Sequence, residues 1–381
     1  MKKLWILALV ASVTACGGNA KTDPDTPEPT TDPVKPDPTP SAVGFAKGAD
    51  ISWATEMEHD GRTFKKKDGK TAALLDVLKD CGVNAIRLRV WVKPYSGWSG
   101  KNDVVAVAKK VKAAGMKLMI DFHYSDFFAD PGRQVIPSDW TADKDDLEKM
   151  CKHVSDHTTD ILTALKNAGV DVTWIQIGNE TRDGMLFPSG SLQFSNKNKE
   201  FASYVKLSNA GYDAAKAVFP NAYVMPHQDN AFDYNNKNWW FTQFKAQGGK
   251  MDMIALSHYP QLQSNAETAN AQALNTISSL AKDLKVPVMV AETGFKTPEN
   301  EATAKSLFQS FMTDVQQISD CAGVFYWEPE VDGSWKPAIY NSTTALTQYT
   351  GITQSGTWEA YKLGAFKTDG SPTSVMDVFA D

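Results

Sequence analysis

Cysteine is scarce in this chain, with four residues at positions 16, 81, 151 and 321. Cys16 falls in a leader segment, and the three that remain cannot all pair. Their spacing matches no zinc motif, so small buried thiols are the expectation for Cys81, Cys151 and Cys321. Positive charge is not in excess either: the formal charge is −6 and the pI near 5.6, which argues against a nucleic-acid partner. The apolar run Leu4 to Val13 is too short to span a bilayer. No Gly-x-Gly-x-x-Gly follows the first strand-like segment, which weakens a dinucleotide-binding sheet, and no Gly-x-Ser-x-Gly elbow marks a serine hydrolase. No His-x-His closes that first strand, against a metal-dependent amidohydrolase barrel. His153 and His157 stand four apart in a helical pattern, but the intervening Val-Ser-Asp lacks the glutamate of His-Glu-x-x-His. No metal is expected there.

What is present divides into three parts. Residues 1–15 read as a signal peptide, with Met1-Lys-Lys as a positive start and Leu4 to Val13 as the apolar centre. It ends in Val13-Thr14-Ala15-Cys16, which resembles a bacterial lipobox, and Cys16 is the expected lipidation site. Residues 16–41 carry that cysteine and then Thr-Asp-Pro-Asp-Thr-Pro-Glu-Pro repeats, a composition that cannot build a core and should act as an extended tether. The expectation is a lipoprotein anchored at the outer membrane or cell surface, with periplasmic or outward orientation left open. Residues 42–381 are the folded domain.

Within that domain strand-like and helical stretches alternate. Strands are expected at Phe45 to Trp53, Asn84 to Val92, Met116 to Phe122, Val172 to Ile177, Ala222 to Met225, Met251 to Ser257, Val286 to Ala291 and Gly323 to Trp327. Helices are expected at Thr71 to Lys79, Asp103 to Ala114, Asp145 to Asn167, Asn198 to Phe219, Trp239 to Gln247, Ala266 to Leu284, Ala302 to Ile318 and Thr373 to Phe379. The strands are continuously apolar, as in a parallel sheet buried on both faces. Such an alternation fits a single (β/α)8 barrel of the TIM type with long βα loops, whose site lies at the C-terminal ends of the strands.

Polar residues gather at those ends. The fourth strand delivers Asn179 and Glu180, and the seventh delivers Glu292. Ends 4 and 7 lie across a barrel mouth, so the two glutamates can flank one bond. Glycosidic cleavage needs such a pair: one carboxyl protonates the leaving oxygen while the other attacks carbon or activates water. Each glutamate alone could equally serve an ion pair with a loop cation. Arg87 and Arg89 are two apart on one strand and share a face. Arg89 reads as a structural ion pair, and Arg87 as a group lowering the pKa of a nucleophilic carboxylate. At the third strand's end, His123 and Asp126 could bind hydroxyls or brace their loop. Trp53, Trp91, Trp140 and Trp327 sit at or just past strand ends, each a core residue or a platform for a sugar ring; Trp327 is the favoured platform. His258 and Tyr259 could orient a glutamate, or satisfy loop carbonyls.

Together these residues resemble glycoside hydrolase family 53, the endo-β-1,4-galactanases, in the clan of retaining (β/α)8 glycosidases. The resemblance runs from about Gly48 to Phe379 and rests on Gly48-Ala-Asp-Ile-Ser52, Arg87-Leu-Arg-Val-Trp91, Asp121-Phe-His-Tyr-Ser-Asp126 with Ala129-Asp-Pro131, Gln176-Ile-Gly-Asn-Glu180, Glu292-Thr-Gly294 and Trp327-Glu-Pro329. It implies Glu180 as acid/base, Glu292 as nucleophile, and Asn179 on the 2-hydroxyl of the sugar in the −1 subsite. It also implies Arg87 near the nucleophile, Tyr259 as its hydrogen-bond partner and Trp327 as the −1 platform. His123, Asp126, His258 and Trp91 join the substrate-binding set. Retention implies carboxyl groups about 5–5.5 Å apart, with Glu180 raised in pKa and Glu292 ionised. The strand 6 block reads Ser257-His258-Tyr259-Pro260 where the family usually has Ser-Tyr-Tyr-Pro, which bears on subsites rather than chemistry. Some relatives bind calcium between the last long loops. Val331 to Thr357 lacks a carboxylate cluster, so neither calcium nor any other cofactor is expected. The expected substrate is β-1,4-galactan in pectin side chains, acted on by a monomer. Alternatives are a related clan enzyme acting on mannan or cellulose, or a non-catalytic glycan-binding lipoprotein.

Overall fold

The computed structural model describes residues 43–192, 197–350 and 362–380. The leader, Cys16, the tether and part of the last long loop lie outside them. Hydrogen bonding defines one parallel sheet whose first and last members, Tyr223–Met225 and His227–Gln228, are halves of one strand interrupted at Pro226. Proline has no N–H to give the ladder, so the interruption falls there. Joining the halves closes the sheet into a barrel of eight strands: β1 (Ala46–Asp50), β2 (Ala85–Val90), β3 (Lys117–Phe122), β4 (Trp174–Ile177), β5 (Tyr223–Gln228, broken at Pro226), β6 (Ile254–His258), β7 (Val288–Thr293) and β8 (Cys321–Trp327). This is the (β/α)8 barrel expected from the alternation.

Outside the strands run α1 (Leu74–Asp80), α2 (Lys101–Ala113), α3 (Leu147–Asn167), α4 (Lys197–Val218), α5 (Tyr234–Ala246), α6 (Ala266–Leu284) and α7 (Glu301–Val315), with a 3-10 turn at Ser374–Phe379 completing the ring. Four of these starts are fixed by side-chain caps: Asp146, Asp233, Asn265 and Asn300 each accept the backbone N–H three residues on. Two boundaries differ from expectation for this kind of reason. α5 begins at Tyr234 rather than Trp239 because Asp233 caps it. Thr71–Ala72 is not helical but pairs with Phe64–Lys65 as a hairpin, so α1 starts only at Leu74. Strand β1 also ends at Asp50, short of the expected Trp53, and a short helix, Ala54–His59, follows it. That helix buries Glu56, whose Oε1 accepts the Ala338 N–H at 2.8 Å. Burial pushes the Glu56 carboxyl up to about 7.

Two apolar layers result. One lies between strands and helices; the other fills the barrel with Ala46, Ala85, Met119, Trp174, Met225, Met289 and Phe325. Small residues on β1 and β2 leave room for the Trp174 and Phe325 rings, which meet edge to face at 5.9 Å. Gly48 belongs to the same arrangement, since a methyl group there would overlap the Phe325 ring. At four strand ends the chain turns through a non-glycine left-handed residue: Tyr124 (φ 50°), Glu180 (φ 47°), Asn230 (φ 51°) and Glu328 (φ 48°). Each is a costly conformation, and all four ring the mouth that the strands point toward. Among the described residues, no helix is long and apolar enough to cross a membrane.

The Gly48–Phe325 contact gives a test of the interior. Gly48→Ala should destabilise the barrel by about 1–3 kcal/mol through overpacking. In urea unfolding the midpoint should drop with little change in slope, and adding Phe325→Leu should recover part of the loss.

Candidate active site

Strand alternation sets which side chains reach the mouth. On β2, Arg87 and Arg89 point inward; on β3, Asp121 and His123 do; on β6 and just beyond, Ser257 and Tyr259 do. Arg87 lies at the centre, fully buried. Its Nη1 meets Asp50 Oδ2 at 2.7 Å, and its Nη2 meets Asp121 Oδ2 and Glu292 Oε1, each at 2.8 Å. The same Nη2 lies 3.0 Å from Asn179 Oδ1. One guanidinium thus spans β1, β2, β3, β7 and the end of β4. Burial disfavours its charge, but Asp121, Glu292 and Asp50 together hold it firmly cationic. Burial alone would raise the Asp121 carboxyl, yet Arg87 and His123 keep it below its usual value.

Glu292 ends up clamped on both oxygens, by Arg87 on Oε1 and by the Tyr259 hydroxyl, which donates to Oε2 at 2.7 Å. Glu180 has a different environment. Gly178 (φ 79°) and Glu180 (φ 47°) make the sharp exit from β4, and a side chain at Gly178 would collide with Thr181 Cγ2 at 2.6 Å. Among the described residues no cation pairs with Glu180. Burial, then the charges of Glu292 and Asp229, push its carboxyl well above the ordinary range. Burial also raises Glu292, but Arg87 and the Tyr259 hydroxyl oppose it. Two interacting carboxyls in such unequal settings share their charge unequally: Glu292 takes it and Glu180 keeps the proton.

Of the residues singled out from sequence, the structure brings Glu180, Glu292, Asn179, Arg87 and Tyr259 into one cluster. Trp327 stands beside it, half-buried, edge-on to Tyr259 at 6.4 Å. Others lie elsewhere. His258 is a correction: its neighbours Ser257 and Tyr259 face the mouth, so it points outward, where Nε2 meets Asn270 Oδ1 at 2.8 Å and the ring packs on Phe311. Burial pushes it down to about 4, so it is a neutral core histidine rather than a sugar ligand. Trp91 is likewise buried. With Trp53 and Phe128 it surrounds the Arg89 guanidinium at 4.1–4.6 Å, and Arg89 is ion-paired to Glu328. Here the core alternative for Trp91 wins, and Arg89 is the structural pair expected. His123 and Asp126 brace loops: His123 accepts the Ala129 N–H and contacts Asp121, while Asp126 accepts the Lys93 and Ser138 N–H groups.

Sequence reasoning passed over Asp50, Asp121, Gln176, His227 and Ser257 as site residues. Each sits at an inward position at or near a strand's C-terminal end, which was the available signal. Asp50 and Asp121 grip Arg87. Gln176 lies between Asp121 and Asn179, with its amide nitrogen 3.1 Å from Asn179 Oδ1. His227, with no exposure, lies under the Asn179–Glu180 turn.

A (β/α)8 barrel carrying one clamped and one proton-holding glutamate at strand ends 4 and 7 defines a glycoside hydrolase of the carboxylate-pair class. Comparison with known proteins narrows this. The profile of glycosyl hydrolase family 53 matches residues 46–379, and the chain belongs to that family. It is 31% identical over 308 residues to an arabinogalactan endo-β-1,4-galactanase of Thermothelomyces thermophilus, covering 74% of this chain and 89% of that protein. A second such enzyme, from Humicola insolens, is 30% identical over 307 residues, with the same 74% and 89% coverage. Among solved structures, the family 53 catalytic domain of Ignisphaera aggregans superposes with a TM-score of 0.74 at 25% identity, covering 91% of this chain and 97% of that one. A fungal β-1,4-galactanase superposes with a TM-score of 0.70 at 29% identity, covering 87% and 98%.

The clamp predicts a directional pH effect. Tyr259→Phe removes a hydrogen bond to the ionised form of Glu292, so the pKa of that carboxyl rises. The acidic limb of kcat/KM should move to higher pH, with a loss of about tenfold at the parent's optimum. A pH–rate profile of the two proteins checks it.

Proposed function

We propose that this protein is an endo-acting, retaining β-1,4-galactanase that cuts galactan side chains by double displacement. The observation that carries the reading is the opposed setting of the two carboxyls: Glu292 held by Arg87 and Tyr259, Glu180 kept protonated. In the first step Glu180 gives its proton to the glycosidic oxygen while Glu292 bonds to C1. Glu292 then loses its charge as an ester, so one cause of Glu180's high pKa disappears. Glu180 can now act as base toward water. Asn179 donates one amide N–H to the Ala129 carbonyl at 2.8 Å, leaving the other for a sugar hydroxyl. Trp327 offers an apolar ring face beside Tyr259 for the sugar in the −1 subsite. Galactan as substrate is supported by the relatives named above.

The test is cleavage of purified β-1,4-galactan, mannan and cellulose. Galactan should be cut internally with β-configured products seen by NMR at early times, and Glu292→Ala should lower turnover by at least about a thousandfold while retaining galactan binding. No cleavage of galactan, or α-configured first products, overturns the reading.

A lipid anchor at Cys16 with the 16–41 tether would hold the domain off a membrane, where it could meet a polymer too large to enter the cell. Cells expressing the full chain should incorporate labelled palmitate into it, and Cys16→Ala should abolish the label; equal labelling of both removes the anchor from the proposal.

A further inference from the structure

His227 lies near the end of β5, beside the turn that presents Glu180. Its Nδ1 receives the Glu180 backbone N–H at 3.3 Å and lies 2.9 Å from the Gln176 amide nitrogen. A backbone amide can only donate, so we assign the lone pair to Nδ1 and the ring proton to Nε2. Asn179 Oδ1 packs beside the same Nδ1 at 3.0 Å while accepting from Arg87. Burial, and next the charge of Arg87, depress the imidazole's pKa well below its ordinary value, so the ring stays neutral. On its other side Nε2 lies 2.9 Å from Ser257 Oγ. A hydroxyl that accepts from Nε2–H keeps its own proton for a second partner, and Ser257 is the one neighbour whose hydrogen bonding opposes the rise of the Glu180 carboxyl. Ser257 is buried. A register shift between Leu256 and Ser257 sets Ser257 opposite Glu292.

We propose that Ser257, locked by His227, is a positioning residue for the acid/base: its hydroxyl caps one oxygen of the Glu180 carboxyl, so the transferable proton sits on the other oxygen, toward the glycosidic bond. This rests on the proposed function above. In the first step that proton passes to the leaving oxygen, which also takes the electron pair of the breaking C1–O bond, while a Glu292 oxygen bonds to C1. In the second, water bonds to C1, one water proton goes to Glu180, and Glu292 departs with its electron pair. Ser257 keeps its own proton throughout. Its bond strengthens when Glu180 becomes a carboxylate, which favours the base form needed for the second step. The other ionisable groups facing Glu180 are Glu292 on β7, Asp229 after β5, Asp130 in the β3 loop and Tyr259 after β6. Arg182 at 2.5 Å and Lys237 at 3.3 Å engage Asp229.

The experiment compares parent, Ser257→Ala and Ser257→Thr on galactan and on a dinitrophenyl β-galactobioside, whose leaving group needs no proton. Losing a hydrogen bond to ionised Glu180 raises its pKa, so in S257A the basic limb of kcat/KM on galactan should move up by about one pH unit. At neutral pH kcat/KM on galactan should fall about tenfold, and on the activated substrate by less than about threefold. S257T, which keeps the hydroxyl, should restore the parent's basic limb. An unshifted limb in S257A, or equal losses on both substrates, overturns the proposal. A downward shift would place the ring proton on Nδ1, with Ser257 accepting from Glu180, and overturns it as well. No turnover by the parent would overturn the functional reading and this proposal with it, whereas an active parent with an unshifted S257A overturns the proposal alone.

Discussion

Arg87 is the contact on which the mouth of this barrel depends. A fully buried guanidinium needs partners on several sides, because an unpaired charge in a low-dielectric interior costs several kcal/mol. The barrel supplies Asp50 from β1, Asp121 from β3 and Glu292 from β7, so the requirement fixes the approach of strands that are far apart in sequence. The cluster contains more carboxyls than cations. That surplus has a chemical consequence at Glu180, the carboxyl no cation reaches among the described residues. Its proton is retained because its neighbours have already claimed the available positive charge. Stability and acid catalysis therefore draw on the same ion cluster, and a change at Arg87 would disturb both.

The strand exits impose a second constraint. Left-handed backbone at Tyr124, Glu180, Asn230 and Glu328 is a cost the fold carries at the mouth. At Glu180 the benefit is visible. The left-handed Gly178 and Glu180 turn the chain just past β4, so that Asn179 reaches Arg87 while the next residue, Glu180, lies near Glu292. Gly178 is necessary to this turn, since any side chain there would strike Thr181.

The barrel was legible because its strands are continuously apolar and its polar residues fall after them. The glutamate pair was legible because each follows such a strand directly. What was misread has specific causes. His258 and Tyr259 are both expected at the site, yet neighbouring residues leaving a strand face opposite ways, so only Tyr259 reaches it. Trp91 was weighed as a platform, but a tryptophan two residues beyond Arg89 is better placed to cover that guanidinium, as the rings around it do. His227 and Ser257 escaped notice because the former follows a strand broken by Pro226 and the latter is a serine in a common block. Their inward position at a strand end is the only signal either carries until the strands are laid side by side.

Asn179 joins the two halves of the site. Its Oδ1 accepts from Arg87, which clamps Glu292, and abuts His227, the residue beneath Glu180. Its backbone carbonyl accepts from Gln134 and its Nδ2 donates to Ala129, both in the β3 loop. A side chain tied this way cannot rotate to suit a ligand, so a sugar hydroxyl that reaches the remaining amide proton meets a donor already oriented. Less ordering is then left to occur in the transition state, and that is where preorganised donors act most strongly. Asn179 thus ties together the two carboxyl environments, the clamped Glu292 and the proton-holding Glu180.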